Sequence, residues 1–248
     1  MSEQKMVAQQ GRMWQKTLTN VANSVRQQGN ATSFSPDLVA YNPISPLNGR
    51  RVAFLGSSIT YGIFAKGVSF VDYLQAKDGL VATKEAVSGT TLAGEEVNGY
   101  LKRMKRRFTG QKEYDAFVCQ LSTNDTRYGA TIGQRTPEDQ REGFDISTTL
   151  GAIEEICSYV QTTLHCPIIF YTCLNAADDG TYAHLIDELK LLQKKWKFEI
   201  IDLFNNAGLN AATTAHPNAM FDEVHPTQEG YLKLWLPVFE QKLSALFS

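Results

Sequence analysis

The chain has 248 residues, 43% of them hydrophobic, enough for one sizeable core in a single α/β domain. Its 24 Lys+Arg against 26 Asp+Glu leave a formal charge of -2, which offers no general attraction for nucleic acid or for an anionic membrane. Cys119, Cys157, Cys166 and Cys173 lack Cys-x-x-Cys spacing, and three of them lie in or beside apolar segments, so reduced core thiols are expected.

In chain order, Met1 to Lys16 contain no continuous apolar leader segment, and no run anywhere is long enough to span a bilayer. The expectation is a soluble, cytoplasmic protein. Trp14, Leu18, Val21 and Val25 recur at helical spacing and mark one face of a helix. That helix is read as packed on the outside of the domain, with a dimerisation arm, and so a homo-oligomer, as the alternative. Gln27-Gln28-Gly29-Asn30 and the prolines at 36, 43 and 46 then predict an irregular strap. Residues 1–48 are thus read as a helix and strap, and 49–248 as the main domain.

Val52 to Leu55 are consecutive apolar residues, the pattern of a strand buried on both faces of a parallel sheet. Gly56 permits a sharp turn after it, and Ser57, Ser58 and Thr60 lie where the strand hands over to a helix, leaving backbone N–H groups unpaired. Phe70 to Leu74 predict a helix, and Leu80 to Val87 a second strand that ends in Ser88-Gly89-Thr90-Thr91. Val97 to Phe108 reads as a basic helix whose Lys102, Arg103, Lys105, Arg106 and Arg107 form a solvated face. Ala116 to Leu121 is the third strand, followed by the polar turn Ser122-Thr123-Asn124-Asp125. A helical stretch Ile146 to Leu164 leads to a fourth strand, Pro167 to Thr172, and a helix Tyr182 to Trp196 to a fifth, Phe198 to Leu203. Thr227 to Leu246 closes the chain as a helix. Between them, Thr126 to Phe144 reads as a long polar loop bordering the candidate site, and Asn175 to Thr181 and Asn205 to Met220 as further rims of the cleft.

Alternating strands and helices predict a three-layer α/β/α sandwich around a five-stranded parallel sheet. Ligands of such sheets bind beyond the carboxyl ends of the strands. Ser58, Gly89, Asn124 and the Asp222-Glu223-Val224-His225 block all fall on that edge. A serine hydroxyl is a poor nucleophile until a base takes its proton, and a carboxylate fixes the base's tautomer. His225 fits the base and Asp222 its partner three residues earlier, while Pro226 keeps His225 out of helical geometry. The backbone N–H groups of Ser58 and Gly89 and the Asn124 side-chain amide fit the donors of an oxyanion hole. Singly, each residue has an ordinary structural use as cap, turn or surface group. Jointly, on one edge, they point to catalysis. His165, His184 and His216 have no matching carboxylate, although His216-Pro217 repeats His225-Pro226 locally.

The blocks Gly56-Ser57-Ser58-Ile59-Thr60, Ser88-Gly89-Thr90-Thr91, Ser122-Thr123-Asn124-Asp125 and Asp222-Glu223-Val224-His225-Pro226 resemble, in order and spacing, those of the SGNH (GDSL-type) hydrolase family over residues 50–248. The resemblance implies a flavodoxin-like fold and cofactor-independent hydrolysis of acyl esters. It implies Ser58 as nucleophile, Gly89 and Asn124 in the oxyanion hole, and Asp222 with His225 completing a triad. Ser57 stands where the family has Asp and Ser122 where it has Gly; the second could narrow the cleft or alter the strand-three turn. The expected substrate is a small acyl ester such as an acetylated carbohydrate, with acyl transfer to another acceptor using the same residues. A flavin- or nucleotide-binding module is disfavoured by the missing Gly-x-Gly-x-x-Gly and Gly-Lys-Ser/Thr motifs, a metal hydrolase by the lack of clustered ligands, and an ordinary α/β-hydrolase by the missing Gly-x-Ser-x-Gly elbow.

Overall fold

The five apolar runs become the five strands β1 Arg51–Gly56, β2 Val81–Ala86, β3 Ala116–Gln120, β4 Ile168–Tyr171 and β5 Glu199–Ile201. In this computed structural model, which describes residues 23–24, 27–175 and 180–247, they pair in parallel in the order β2-β1-β3-β4-β5. This is the flavodoxin-like order, and its direction reverses at β1, so the carboxyl ends of β1 and its neighbours open onto a shared crevice. β3 is buried along its whole length and β1 along all but its first residue, as runs of consecutive apolar side chains require. The strands at the two edges differ: β2 carries Thr83, Lys84 and Glu85 and is only half buried, and β5 is three residues long.

Nine helices are described, and the longer ones cover the two faces of the sheet. The short α1, Ser58–Tyr61, leaves directly from β1. α2, Phe70–Asp78, packs on one face with the C-terminal rod, in which α8, Gln228–Gly230, runs through a π-helical turn, Tyr231–Trp235, into α9, Leu236–Phe247. Phe70 stacks on Phe239 there at 3.7 Å between ring centroids, with Trp235 and Tyr171 of β4 closing the cluster. The other face carries α3, Tyr100–Arg107, α5, Thr149–Tyr159, and α6, Thr181–Trp196. α4, Thr123–Arg127, is a single turn after β3, and α7 is Ala207–Ala215.

Three expectations change. Asn205 to Met220, read as loop, contains the helix α7, whose Asn206 Oδ1 accepts the Leu209 N–H at 2.9 Å as a cap. Arg103 is not part of a solvated face: it is 0% exposed. The polar stretch 126–144 begins with the end of α4 and is then fastened to the far face. Thr136 donates through its N–H and hydroxyl to the buried carboxylate of Glu154, which also receives Lys195 and the Trp196 indole N–H. Phe144 is buried edge-on against Trp196. The four cysteines are buried and unpaired.

The helix expected around Trp14, Leu18, Val21 and Val25 lies outside the described residues. The strap after it is stitched to the domain by Asn30, which is 2% exposed. Its amide donates to Phe64 O at 2.7 Å and accepts from Gln228 N–H at 2.9 Å. No helix among the described residues is long and apolar enough to cross a membrane.

Candidate active site

The site starts from the way β1 ends. Gly56 is the last strand residue, and a Cβ there would overlap the Thr60 side chain, so the chain can fold back into α1 only with glycine at this point. Gln120, the last residue of β3, supports the turn from below. Its side-chain carbonyl accepts the Ser57 N–H at 2.9 Å and the Thr60 hydroxyl at 2.8 Å. The Thr60 hydroxyl also pairs with Tyr171 OH at 2.6 Å, and Tyr231 OH donates to Ile59 O at 2.6 Å. Ser58 is thereby held at the first position of α1, where the helix start leaves its N–H without an internal acceptor.

Ser58 Oγ lies 2.8 Å from His225 Nε2. His225 Nδ1 meets both carboxylate oxygens of Asp222 at 2.9 Å. The loop that carries both is tied at its base by an antiparallel bridge between Met220 and Pro226. Within it, Asp222 Oδ1 accepts the N–H groups of Val224 at 2.8 Å and His225 at 2.7 Å, which folds the loop around its own carboxylate. Partial burial works to raise the Asp222 carboxyl, and the hydrogen bonds from the His225 ring and from the Val224 and His225 amides outweigh it, leaving it below the ordinary carboxylate range. Phe64 stacks on Phe221 at 4.1 Å and stands edge-on to the His225 ring at 5.1 Å.

On the other side of Ser58, Gly89 turns the loop after β2 at φ +78°, a conformation that disfavours any residue with a Cβ. The next residue, Thr90, is a junction. Its carbonyl accepts Asn124 Nδ2 at 2.9 Å and Ser122 Oγ at 3.2 Å, and its hydroxyl donates to Val87 O at 2.7 Å. One of the two Asn124 amide protons is thus engaged. Ser122 is 0% exposed and caps α4 by accepting the Asn124 N–H at 3.1 Å. At φ −70° it needs no glycine and stays out of the cleft. Asp125 accepts the Leu92 and Ala93 N–H groups at 2.9 Å each and the Thr149 hydroxyl at 3.2 Å, fixing the far end of the same loop. Burial raises its carboxyl to about 6 against those donors.

The five residues singled out in the sequence, Ser58, Gly89, Asn124, Asp222 and His225, therefore lie on one edge, with Ser58, His225 and Asp222 in one hydrogen-bonded chain. His216 lies apart, its Nδ1 on Ala212 O at 2.8 Å. Beside Gly89 an open cavity of about 560 Å³ is lined by Gly94, Glu96, Asn98, Gly99 and, from the start of the 126–144 stretch, Tyr128. Among the described residues no three His, Cys, Asp or Glu side chains gather as metal ligands.

The sequence does not single out Gln120, Phe64 or Phe221, and it gives Asp125 only as part of the Ser122-Thr123-Asn124-Asp125 block. For Gln120 a signal existed: a polar side chain ends an otherwise apolar strand. A serine within reach of an imidazole that is itself held by a carboxylate can be deprotonated as it attacks an electrophilic carbon.

The sequence profile described as the GDSL-like lipase/acylhydrolase family matches residues 54–233. No curated protein matches by sequence. Among solved structures, a Lactobacillus plantarum protein superposes with a TM-score of 0.63 at 19% identity, covering 80% of this chain and 96% of its own. An acetylxylan esterase of Geobacillus stearothermophilus gives 0.54 at 15% identity over 81% of this chain and 96% of its own. An inhibitor-bound aryl esterase of M. smegmatis gives 0.57 at 13% identity over 80% of this chain and 100% of its own. Identities this low establish the shared fold.

Proposed function

From the premise that the chain belongs to the GDSL-like lipase/acylhydrolase family of esterases, we propose that it cleaves short acyl esters of small or carbohydrate alcohols through an acyl-enzyme on Ser58. One observation carries the reading: Ser58 Oγ is 2.8 Å from His225 Nε2, and His225 Nδ1 is 2.9 Å from Asp222.

In the first step the Ser58 proton passes to His225 Nε2 as Oγ bonds to the ester carbon, and the carbonyl π pair moves onto oxygen. Asp222 holds the imidazole with Nδ1–H toward itself, so Nε2 is the basic nitrogen, and it stabilises the imidazolium that forms. The oxyanion is received by the N–H groups of Ser58 and Gly89 and the free Asn124 amide proton. Collapse breaks the bond to the alkoxide, which takes the proton from His225. Water, deprotonated by the same Nε2, then attacks the acyl carbon, and the acid leaves as Ser58 recovers its proton.

Preference for a short acyl group and a polar alcohol is supported by the cavity beside Gly89, which is lined mostly by small residues, with Thr91, Glu96, Asn98 and Ser147 as polar side chains and Tyr128 as its large aromatic wall. An acetylxylan esterase among the structural neighbours agrees with that preference. Acyl transfer to an added alcohol or sugar would use the same site, and product analysis in its presence separates the two.

The test is labelling with a fluorophosphonate, in which Oγ bonds to phosphorus and fluoride leaves. Mass spectrometry should place the adduct on Ser58, and Ser58→Ala should lower turnover of p-nitrophenyl acetate by about 10⁵-fold or more. Full turnover by folded Ser58→Ala would refute the reading.

A further inference from the structure

The basic run in α3 hides one cation that faces inward. Arg103 is 0% exposed, and its guanidinium is enclosed by acceptors. Nε donates to Asn98 O at 2.7 Å, Nη1 donates to Glu85 O at 3.0 Å, and Nη2 donates to Gly56 O at 2.9 Å and to Thr90 Oγ1 at 3.1 Å. Nη1 also faces the Glu85 carboxylate at 3.7 Å, and the cation lies 5.1 Å from the centre of the Tyr100 ring. Four of the five N–H groups of the fork thus hydrogen-bond to acceptors, and the Glu85 carboxylate lies beside the fifth as an ion-pair partner.

Two of those acceptors belong to the site. Gly56 is the strand end from which Ser58 projects, and Thr90 directly follows Gly89. Thr90 also receives Asn124 on its carbonyl at 2.9 Å. One rigid plane therefore bridges the loops after β1 and β2, through Gly56 O and Thr90 Oγ1, and reaches Asn124 in the loop after β3 through Thr90 O. The separation between donors is what matters for a transition state, because a misplacement of about 1 Å can cost on the order of 100-fold in rate.

We propose that Arg103 is a positioning residue: its buried fork fixes the spacing between the Gly56–Ser58 turn and the Gly89–Thr90 loop, and so sets the geometry of the oxyanion hole. The proposal rests on the hydrolase reading above. It requires the planar fork as well as the charge, since a lysine ammonium cannot reach Gly56 O, Thr90 Oγ1, Glu85 O and Asn98 O together.

The experiment compares wild type, Arg103→Lys, Thr90→Val and Thr90→Ser. For each, kcat and KM on p-nitrophenyl acetate, Ki for phenylboronic acid and Tm are measured; the boron takes a lone pair from Ser58 Oγ as the hydroxyl proton passes to His225 Nε2, and the tetrahedral boronate puts one of its oxygens in the hole. Arg103→Lys should lower kcat about 10- to 100-fold and raise Ki in parallel, with KM changed by less than about threefold. Thr90→Val, which keeps Arg103 but removes its hydroxyl partner, should show the same pattern at about tenfold, and Thr90→Ser should restore wild-type values. A merely structural arginine would move Tm and leave kcat and Ki of the folded protein alone. Folded Arg103→Lys with wild-type kcat and Ki, or with only KM altered, overturns the proposal. Should Arg103→Lys fail to fold, Thr90→Val decides, and wild-type behaviour there overturns it as well. Wild-type protein that neither hydrolyses the ester nor labels at Ser58 refutes the hydrolase reading, and the proposal falls with it; labelled, active wild type isolates the fate of Arg103.

Discussion

The two sides of Ser58 are built differently. On the Gly89 side, the braces are sunk into the protein beneath the loops: Arg103, Gln120, Ser122 and Asp125 are each 0% exposed and bind backbone groups of neighbouring loops across the sheet edge. On the His225 side, a loop closed by one bridge folds around its own Asp222, which keeps 42% of its side chain exposed, and leans on the Phe64–Phe221 stack. The first side is a set of fixed dipoles, and preorganisation is what an oxyanion hole needs. In the proposed mechanism the second carries the groups that move protons, for which a single well-directed hydrogen bond is enough. Function and stability should be separable on the His225 side, whereas on the Gly89 side a residue that both faces the cleft and braces a loop, as Asn124 does, should affect both at once.

The largest effect that sharpens this contrast is expected at Asp222. In Asp222→Asn the amide oxygen can still accept the Val224 and His225 N–H groups, now served by Asp222 Oδ1 at 2.8 and 2.7 Å, so the loop keeps its shape. The amide nitrogen then faces His225 Nδ1 and places the ring proton on Nε2, the atom that must accept the Ser58 proton. Turnover should fall about 10³- to 10⁴-fold. Tm should stay within a few degrees; a large drop would break the separation claimed for this side.

Asn124→Ala comes next. Loss of one oxyanion donor should cost about 10²- to 10³-fold in kcat with little change in KM. Because the same amide holds Thr90 O at 2.9 Å, this variant should also lose stability, by about 1–2 kcal/mol in a denaturant titration. Unchanged stability would show that Thr90 is held well enough by Ser122 and Arg103 alone.

The same contrast decides what could be read in the sequence. Strands of consecutive apolar residues and the small-residue turns between them announce themselves locally, and so do Ser58, Gly89 and Asn124 at strand ends and Asp222-x-x-His225 before a proline. The braces do not. Arg103 sits in a run of cations, and its acceptors Gly56 and Glu85 lie on other strands, so composition alone makes it a solvated residue. Helical spacing held a clue, since Tyr100, three residues earlier and so on the same face, is buried. α7 was missed for the opposite reason: of its nine residues only Leu209 is buried, so it carries no apolar stripe. The 126–144 stretch looked loose because Glu154 and Lys195, the buried pair that holds Thr136, are contributed by distant helices.

Asp125 tests the Gly89 side where the activity change should be smallest. Its carboxylate accepts from Leu92 and Ala93 N–H and the Thr149 hydroxyl, and does not touch Ser58 or His225. Burial raises it to about 6 from an ordinary value of 3.8, so between those values the folded protein holds a proton that the unfolded chain has released. The contribution of this group to stability is therefore fully present below pH 3.8 and is lost as pH rises through about 6. Its size is on the order of 2–3 kcal/mol. Asp125→Asn cannot titrate, and its amide sets N–H against N–H at Leu92 or Ala93, so it should be less stable at every pH. The gap between wild type and variant should narrow as pH is raised from 4 to 7, as wild type alone loses the bound proton's contribution, while turnover at pH 7 changes less than about tenfold because no donor of the oxyanion hole is removed. A gap that stays constant would mean that the Leu92, Ala93 and Thr149 donors compensate the buried charge fully. A gap that widens would mean that they hold the carboxylate below its unfolded value, and in that case the ionised form of Asp125 is itself one of the fixed charges beneath the Gly89 loop.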